Sequence, residues 1–392
     1  MNDSTLPEPV KVLIAPDKFK GSLTAGEVAA ALAAGLRSVG PGSIACDLLP
    51  LADGGDGSVE AAISAGFTRH RHTVAGPTGH PVRAAVAFDG STAVVEVANT
   101  CGLSLLPGGQ PEPLAACSRG FGEAVRFALG LGPSRIVLAL GGSASTDGGT
   151  GMLQALGCTF LDPDGRQFHP CGGTLRDIHA VDPSALPNLD GVELILASDV
   201  GNPLIGPEGA AAVFGPQKGA NGADVAMLEE GLNHLVTVLE SAGYHDARTL
   251  AVHPGAGSAG GLGYACLLLG ARQVSGADFF LDLLDFDARV QGCDVIITGE
   301  GSLDEQTLAG KLPASVAKRA GVRPVVAVVG RSTLPPSRWR ELALASVHTL
   351  AERTDADSSK DPALSAELLR SIGRDIATGL LQAELAAPVG IL

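Results

Sequence analysis

Apolar runs of strand length alternate along this chain with apolar positions at helical spacing. Lys11–Ala15 (KVLIA) has no polar face, the mark of a strand covered on both sides. Arg135–Leu140, Glu193–Ala197, Asp294–Thr298 and Pro324–Val329 repeat that pattern, and Asp47–Ala52 predicts a further short strand. Thr24-Ala25-Gly26-Glu27 spells a capping box, after which Val28, Leu32 and Leu36 fall on one helical face. Arg119–Leu131 and Asp224–Glu240 predict two more helices, the second with Leu228, Leu232, Leu235 and Leu239 in register. Pro313 suits the first residue of a helix running to about Arg319, and Asp361-Pro362 opens an amphipathic C-terminal helix. Val74–Val97 reads differently: two β-rich segments split by Asp89-Gly90, a hairpin signal.

Alternating strands and helices imply mostly parallel sheets with right-handed crossovers, an α/β fold. The 392 residues suggest two or three domains at roughly 150 residues each. The hairpin region marks a second domain. We expect two α/β domains: residues 1–72 plus 288–392 form one from both ends of the chain, and 73–287 form an insert. No linker-like stretch and no internal repeat appears.

Hydrophobic residues make up 45% but aromatic ones only 4%, so the core is aliphatic and the chain is not of the disordered class. The formal charge of −15 sets the chain against nucleic acid and anionic membranes as partners. An anionic small substrate then needs local lysines, backbone N–H groups or a metal. Seven scattered cysteines without C-x-x-C spacing fit neither a disulfide framework nor a zinc site, and point to a reducing cytoplasm. Met1-Asn2-Asp3-Ser4 has neither a basic nor an apolar stretch, so no secretion signal is expected.

The chemistry gathers after the strands. KVLIA leads to Asp17-Lys18, LLPLA to Asp53-Gly54-Gly55-Asp56-Gly57, RIVLAL to Gly141–Gly149 with Ser143, Ser145 and Asp147, ELILA to Ser198-Asp199, and DVIIT to Gly299-Glu300-Gly301. In parallel α/β sheets the ligand crevice lies outside these carboxyl ends. Five acidic loops there call for a counter-charge, which points to Mg²⁺ and phosphates. Any single Asp could equally be a helix cap or an Asx-turn. The glycines and hydroxyls of Gly141–Gly151, opening a helix at Met152–Leu156, suit an anion. Gly255-Ala256-Gly257-Ser258-Ala259-Gly260 matches G-x-G-x-x-G, but only Leu250–Val252 and then His253-Pro254 precede it, so a dinucleotide site is poorly supported. Walker A and protein-kinase signatures are absent. Lys18, Lys20, Lys218 and Lys311 stand in Gly- or Pro-rich loops, and the first three are candidate anion ligands. The histidines show no metal spacing, and His70-Arg71-His72 reads as solvated surface.

Together these loops resemble the type-1 glycerate kinase family, bacterial enzymes that phosphorylate D-glycerate with ATP. The resemblance rests on Ala15–Leu23, Ala52–Gly57, Gly141–Gly149, Ser198–Leu204, Phe214–Ala220, Gly255–Gly261, and Ile297–Gly301 with Asp304 and Gly310-Lys311, in family order. Thr146 stands where relatives often carry Asn, and Asn99–Gly102 differs from the Ala/Ser-rich version of some relatives. The resemblance implies one flavodoxin-like domain, one unusual α/β domain, an active site in the cleft between them, and 2-phosphoglycerate as the usual product.

On that basis ATP and Mg²⁺ are the expected cofactors and D-glycerate the expected partner, with a homodimer left open. Asp199, Lys18 and Asp17 are the expected catalytic residues, with Asp199 orienting or deprotonating the attacking hydroxyl. Ser143, Ser145, Lys218, Gly299, Lys20 and Gly257 are expected to hold the cofactor, and Asp53 and Glu300 the metal. Two rivals stand beside this reading. One is an NAD-dependent reductase of hydroxypyruvate-like acids, carried by the single G-x-G-x-x-G. The other is a non-enzymatic binding protein for small acids.

Overall fold

In a computed structural model, residues 8–308 and 310–386 are described; the Met1–Ser4 segment weighed above lies outside them. The chain forms two compact units, one from the residues up to Ala52 and from Phe280 on, the other from Asp53 to Phe279. The expected boundary at 72/73 would cut the strand Thr68–Ala75, which pairs along its length with Pro81–Phe88 and belongs wholly to the second unit.

The first unit is built on a five-stranded sheet. Its strands, in chain order, are Val10–Pro16, Ile44–Leu48, Val295–Gly299, Val325–Val329 and Ser346–Thr349, and every pairing is parallel. Numbered within the unit, their spatial order is 2-1-3-4-5, one of the two common orders of doubly wound open sheets. The helix Ala25–Val39 starts at the expected capping box. The Glu27 N–H donates to Thr24 Oγ1 at 3.3 Å and the Thr24 N–H to Glu27 Oε2 at 2.8 Å. Its Val28, Leu32 and Leu36 pack with Leu369 and Ile372 of the helix Pro362–Ala386 over Val12, Ile14 and Ile297. The second strand falls earlier than Asp47–Ala52. Pro50 has no N–H to give a ladder, and the Leu49 and Leu51 N–H groups reach the Ile14 and Pro16 carbonyls from beyond the strand end.

The second unit carries a six-stranded sheet. The hairpin Pro81–Phe88/Thr92–Glu96 turns at Asp89-Gly90 as expected, and Thr68–Ala75 extends it at the edge. Thr92–Glu96, Arg135–Ala139, Glu193–Ala197 and Arg272–Val274 run parallel, so their carboxyl ends share one side. Phe121 of the helix Arg119–Leu129, Ile136, Leu138, Leu196, and Leu232 and Leu235 of the helix Gly222–Ser241 form one aliphatic core with few rings. His72 lies stacked 4.5 Å from Phe127, so it does more than face water. Among the described residues no helix is long and apolar enough to cross a membrane, and all seven cysteines are free.

Candidate active site

In the first unit the strand order reverses between Val10–Pro16 and Val295–Gly299, where open α/β sheets place their ligands. The residues leaving these strands are Asp17-Lys18 and Glu300. The Asp17 N–H donates to the Gly299 carbonyl at 2.8 Å, which ties the two exits together. Asp17 Oδ1 accepts the Lys18 N–H at 2.7 Å and stands 3.6 Å from Lys18 Nζ. Glu300 is 7% exposed, and Thr307 Oγ1 donates to its Oε1 at 2.5 Å. Burial pushes the Glu300 pKa up to about 7; the Thr307 bond and Lys311 oppose this, while Asp17 and Asp304 add like charge. Lys311 pairs with Asp304 at 3.4 Å. Lys20 is exposed in the turn closed by the Phe19–Leu23 bridge. Gly299 is glycine because a Cβ there would lie 2.0 Å from the Val328 carbonyl oxygen of the neighbouring strand. That is a packing reason rather than a ligand one.

In the second unit Asp53, Asp199, Ser143, Ser145, Lys218 and Gly257 all lie in or against loops at the carboxyl ends of the parallel strands. Asp199 follows Glu193–Ala197, as expected, but its carboxylate is engaged. The Gly276 N–H donates to Oδ1 at 3.0 Å and the Ala277 N–H to Oδ2 at 3.2 Å. Asp199 therefore caps the start of the helix Gly276–Leu283, so the capping role is real. The residue as a whole is exposed, yet its carboxylate is turned to these amides, and the surrounding protein raises its pKa. Bonds from Ser275, Ala277 and Gly276 pull the other way, and Asp53 adds like charge. Asp53 Oδ1 accepts the Gly55 N–H at 3.1 Å in an Asx-turn.

Ser143 and Lys218 meet. Lys218 is 2% exposed, and its Nζ donates to Ser143 Oγ at 3.0 Å and to the Ser145 carbonyl. Ser145 is fully buried. Gly257 sits where a Cβ would fall 2.2 Å from the Pro203 carbonyl oxygen, and its N–H donates to the Asn202 carbonyl at 2.9 Å. The residues before this G-x-G-x-x-G run form a helix, Ala247–Ala251, not the strand that a dinucleotide fingerprint needs. The reductase rival loses its only support.

The sequence reading missed Thr307, seven residues from Glu300, and two partners distant in sequence: the Gly276 and Ala277 amides on Asp199, and Ser118 on Asp147. Lys311 and Asp304 carried a signal in their loop but no role. Among the described residues no three His, Cys, Asp or Glu side chains gather closely enough to cage a metal alone. A Mg²⁺ that arrives with phosphates needs only one or two carboxylates, and hard oxygen donors of that kind stand in the first unit at Asp17 and Glu300 and in the second at Asp53.

Sequence comparison settles the family. The profile of the glycerate kinase family matches residues 12–380. The chain belongs to the glycerate kinase family. It is 44% identical over 328 residues to the glycerate kinase of Bacillus subtilis (strain 168), covering 82% of this chain and 85% of that one. It is 41% identical over 331 residues to the glycerate 2-kinase of Escherichia coli (strain K12), covering 83% and 86%. A crystal structure assigned to glycerate kinase 2 from Salmonella typhimurium LT2 superposes with a TM-score of 0.78 at 36% identity, covering 96% of this chain and all of that one. The family blocks read from the sequence are thus set in a glycerate kinase α/β scaffold.

Proposed function

We propose that this protein transfers the γ-phosphoryl group of ATP to a hydroxyl of D-glycerate, giving 2-phosphoglycerate. The observation that carries the reading is family membership across nearly the whole chain, together with carboxylates and lysines at the carboxyl ends of the parallel strands of both sheets. Phosphoryl transfer asks the protein mainly to position reactants and offset negative charge. Asp199 orients the attacking hydroxyl and takes its proton. Lys18 and Lys20 meet phosphate oxygens. The Ser143–Ser145 loop, with Lys218 behind it, receives an anionic group. The candidates to hold Mg²⁺, directly or through water, are Asp17 and Glu300 of the first unit and, separately, Asp53 of the second. Bound there, the ion supplies positive charge to the phosphates. The strand order of the first unit supports its reading as flavodoxin-like, and the free cysteines support a cytoplasmic setting. A homodimer belongs to the same proposal and is checked by light scattering.

The test is turnover with D-glycerate, ATP and MgCl₂, followed by proton-coupled ³¹P NMR of the product. A doublet marks the phosphate on the carbon with one hydrogen, the 2-position, and a triplet marks the 3-position. Full turnover in excess chelator would remove the metal from the scheme, and no turnover with any divalent ion would remove the function.

A further inference from the structure

The turn after Arg135–Ala139 is held from both ends by buried groups of opposite charge. Asp147 is fully buried. Its Oδ2 accepts the N–H and the hydroxyl of Ser118, both at 2.8 Å, and the Gly151 N–H at 3.2 Å, while Oδ1 accepts the Gly149 N–H at 3.1 Å. Lys218 grips the other end through Ser143 Oγ and the Ser145 carbonyl. A third contact comes from the left-handed run Ala259-Gly260-Gly261: the Gly260 carbonyl accepts the Gly148 N–H at 3.0 Å. Gly260 has φ 70°, and a Cβ there would lie 2.1 Å from the Ser145 carbonyl oxygen and 2.9 Å from Lys218 Nζ. The buried Ser145 and Thr146 hydroxyls have no hydrogen-bond partner among the described residues, so these do not hold the turn. A stretch with glycine at 141, 142, 148, 149 and 151 is otherwise among the most freely moving kinds of backbone.

We propose that Asp147 and Lys218 are positioning residues, a buried clamp that fixes residues 143–151 in the shape that receives the anionic substrate without touching it. This rests on the glycerate kinase reading and moves Lys218 from ligand contact to strut. Both side chains are buried and bonded within the protein, Asp147 to Ser118, Gly149 and Gly151, and Lys218 to Ser143 and Ser145. Burial pushes the Lys218 pKa down to about 7, and the charge of Asp147 works against that shift. A turn held in one shape keeps the bound anion in the orientation for transfer, so its contribution falls on the transition state rather than on ground-state binding.

The test uses Lys218→Met in the full-length chain, because Asp147→Asn turns an amide against N–H donors and risks the fold. Hydrogen exchange of the ligand-free protein should be about 10-fold faster or more in residues 143–149 of the variant, with residues 135–139 unchanged. With glycerate and ATP, kcat should fall about 30-fold or more while both KM values stay within about 3-fold. Unchanged exchange, a rise of about 10-fold or more in either KM, or unaltered kcat each overturns the clamp. Exchange is read without substrate. Absence of glycerate turnover in the wild type would therefore sink the functional reading while the clamp is still judged.

Discussion

Asp199→Asn should cut kcat at least about 100-fold while changing the glycerate KM far less, because a general base contributes about 10²–10⁴-fold in the transition state. The structure makes this a sharper experiment than the sequence alone. Asp199 caps the helix Gly276–Leu283, so the amide also exchanges one acceptor for a donor facing the Ala277 N–H. Loss of a cap costs about 0.5–2 kcal/mol, and a modest fall in Tm is expected whatever the catalytic role. The two roles separate in the kinetics. A cap alone predicts a lower Tm with near-normal kcat at a temperature where the variant is folded, and that result would hand the base role to Asp53 or Asp17. The pH profile gives a second handle. Desolvation, with Asp53 adding like charge, holds the Asp199 pKa above its ordinary value. A base must be ionised, so the acid limb of kcat/KM should lie above the usual aspartate range.

Strands buried on both faces were legible because RIVLAL and ELILA are short aliphatic runs that end at once in glycine or serine, too short for a buried helix. Arg135–Ala139 and Glu193–Ala197 appear within a residue of where they were expected. The edge strand Ile44–Leu48 was not legible, since only its first residue is buried, and the apolar run just after it drew the assignment too late. The three-stranded sheet of Thr159–Leu161, Gln167–Phe168 and Ala180–Asp182 has strands too short to show a period.

The site was legible in outline for a related reason. In a parallel sheet each strand end marks a place on the crevice side, so a carboxylate just past a buried run is placed by counting alone. What Asp199 and Asp147 do was not legible, because their deciding partners come from elsewhere in the chain. The helix that Asp199 caps begins 77 residues later. Asp147 looked like its neighbours in sequence, yet three backbone N–H groups donate to its carboxylate. The glycines misled in a consistent way: Gly257 and Gly299 are required by carbonyl oxygens 2.2 and 2.0 Å from where a Cβ would sit.

Glu300→Gln should make the protein more stable at pH 8 and less able to use Mg²⁺. Glu300 is 7% exposed, and burial lifts its pKa from 4.5 to about 7. A raised carboxyl pKa means that the native state binds more protons than the unfolded chain between those values. Stability is therefore lost as pH rises through that window: the full cost is present above about pH 7 and absent below about pH 4.5. A shift of this size corresponds to about 3 kcal/mol, an order of magnitude only, or several degrees in Tm. Glutamine stays neutral throughout and its Oε1 can still accept from Thr307 Oγ1. Its Tm advantage should accordingly appear at pH 8 and be small at pH 5. Evolution has no stability reason to keep an ionisable group in such a place, next to Asp17 and Asp304, which makes a functional one the stronger explanation. If Glu300 helps to hold Mg²⁺, the Mg²⁺ concentration giving half-maximal activity should rise about 10- to 100-fold in the variant. A stabilised Glu300→Gln protein with unchanged Mg²⁺ dependence would leave Asp17 and Asp53 to hold the ion. A variant without added stability at pH 8 would show that the Glu300 carboxylate meets a compensating positive charge, with Lys311 the nearest candidate.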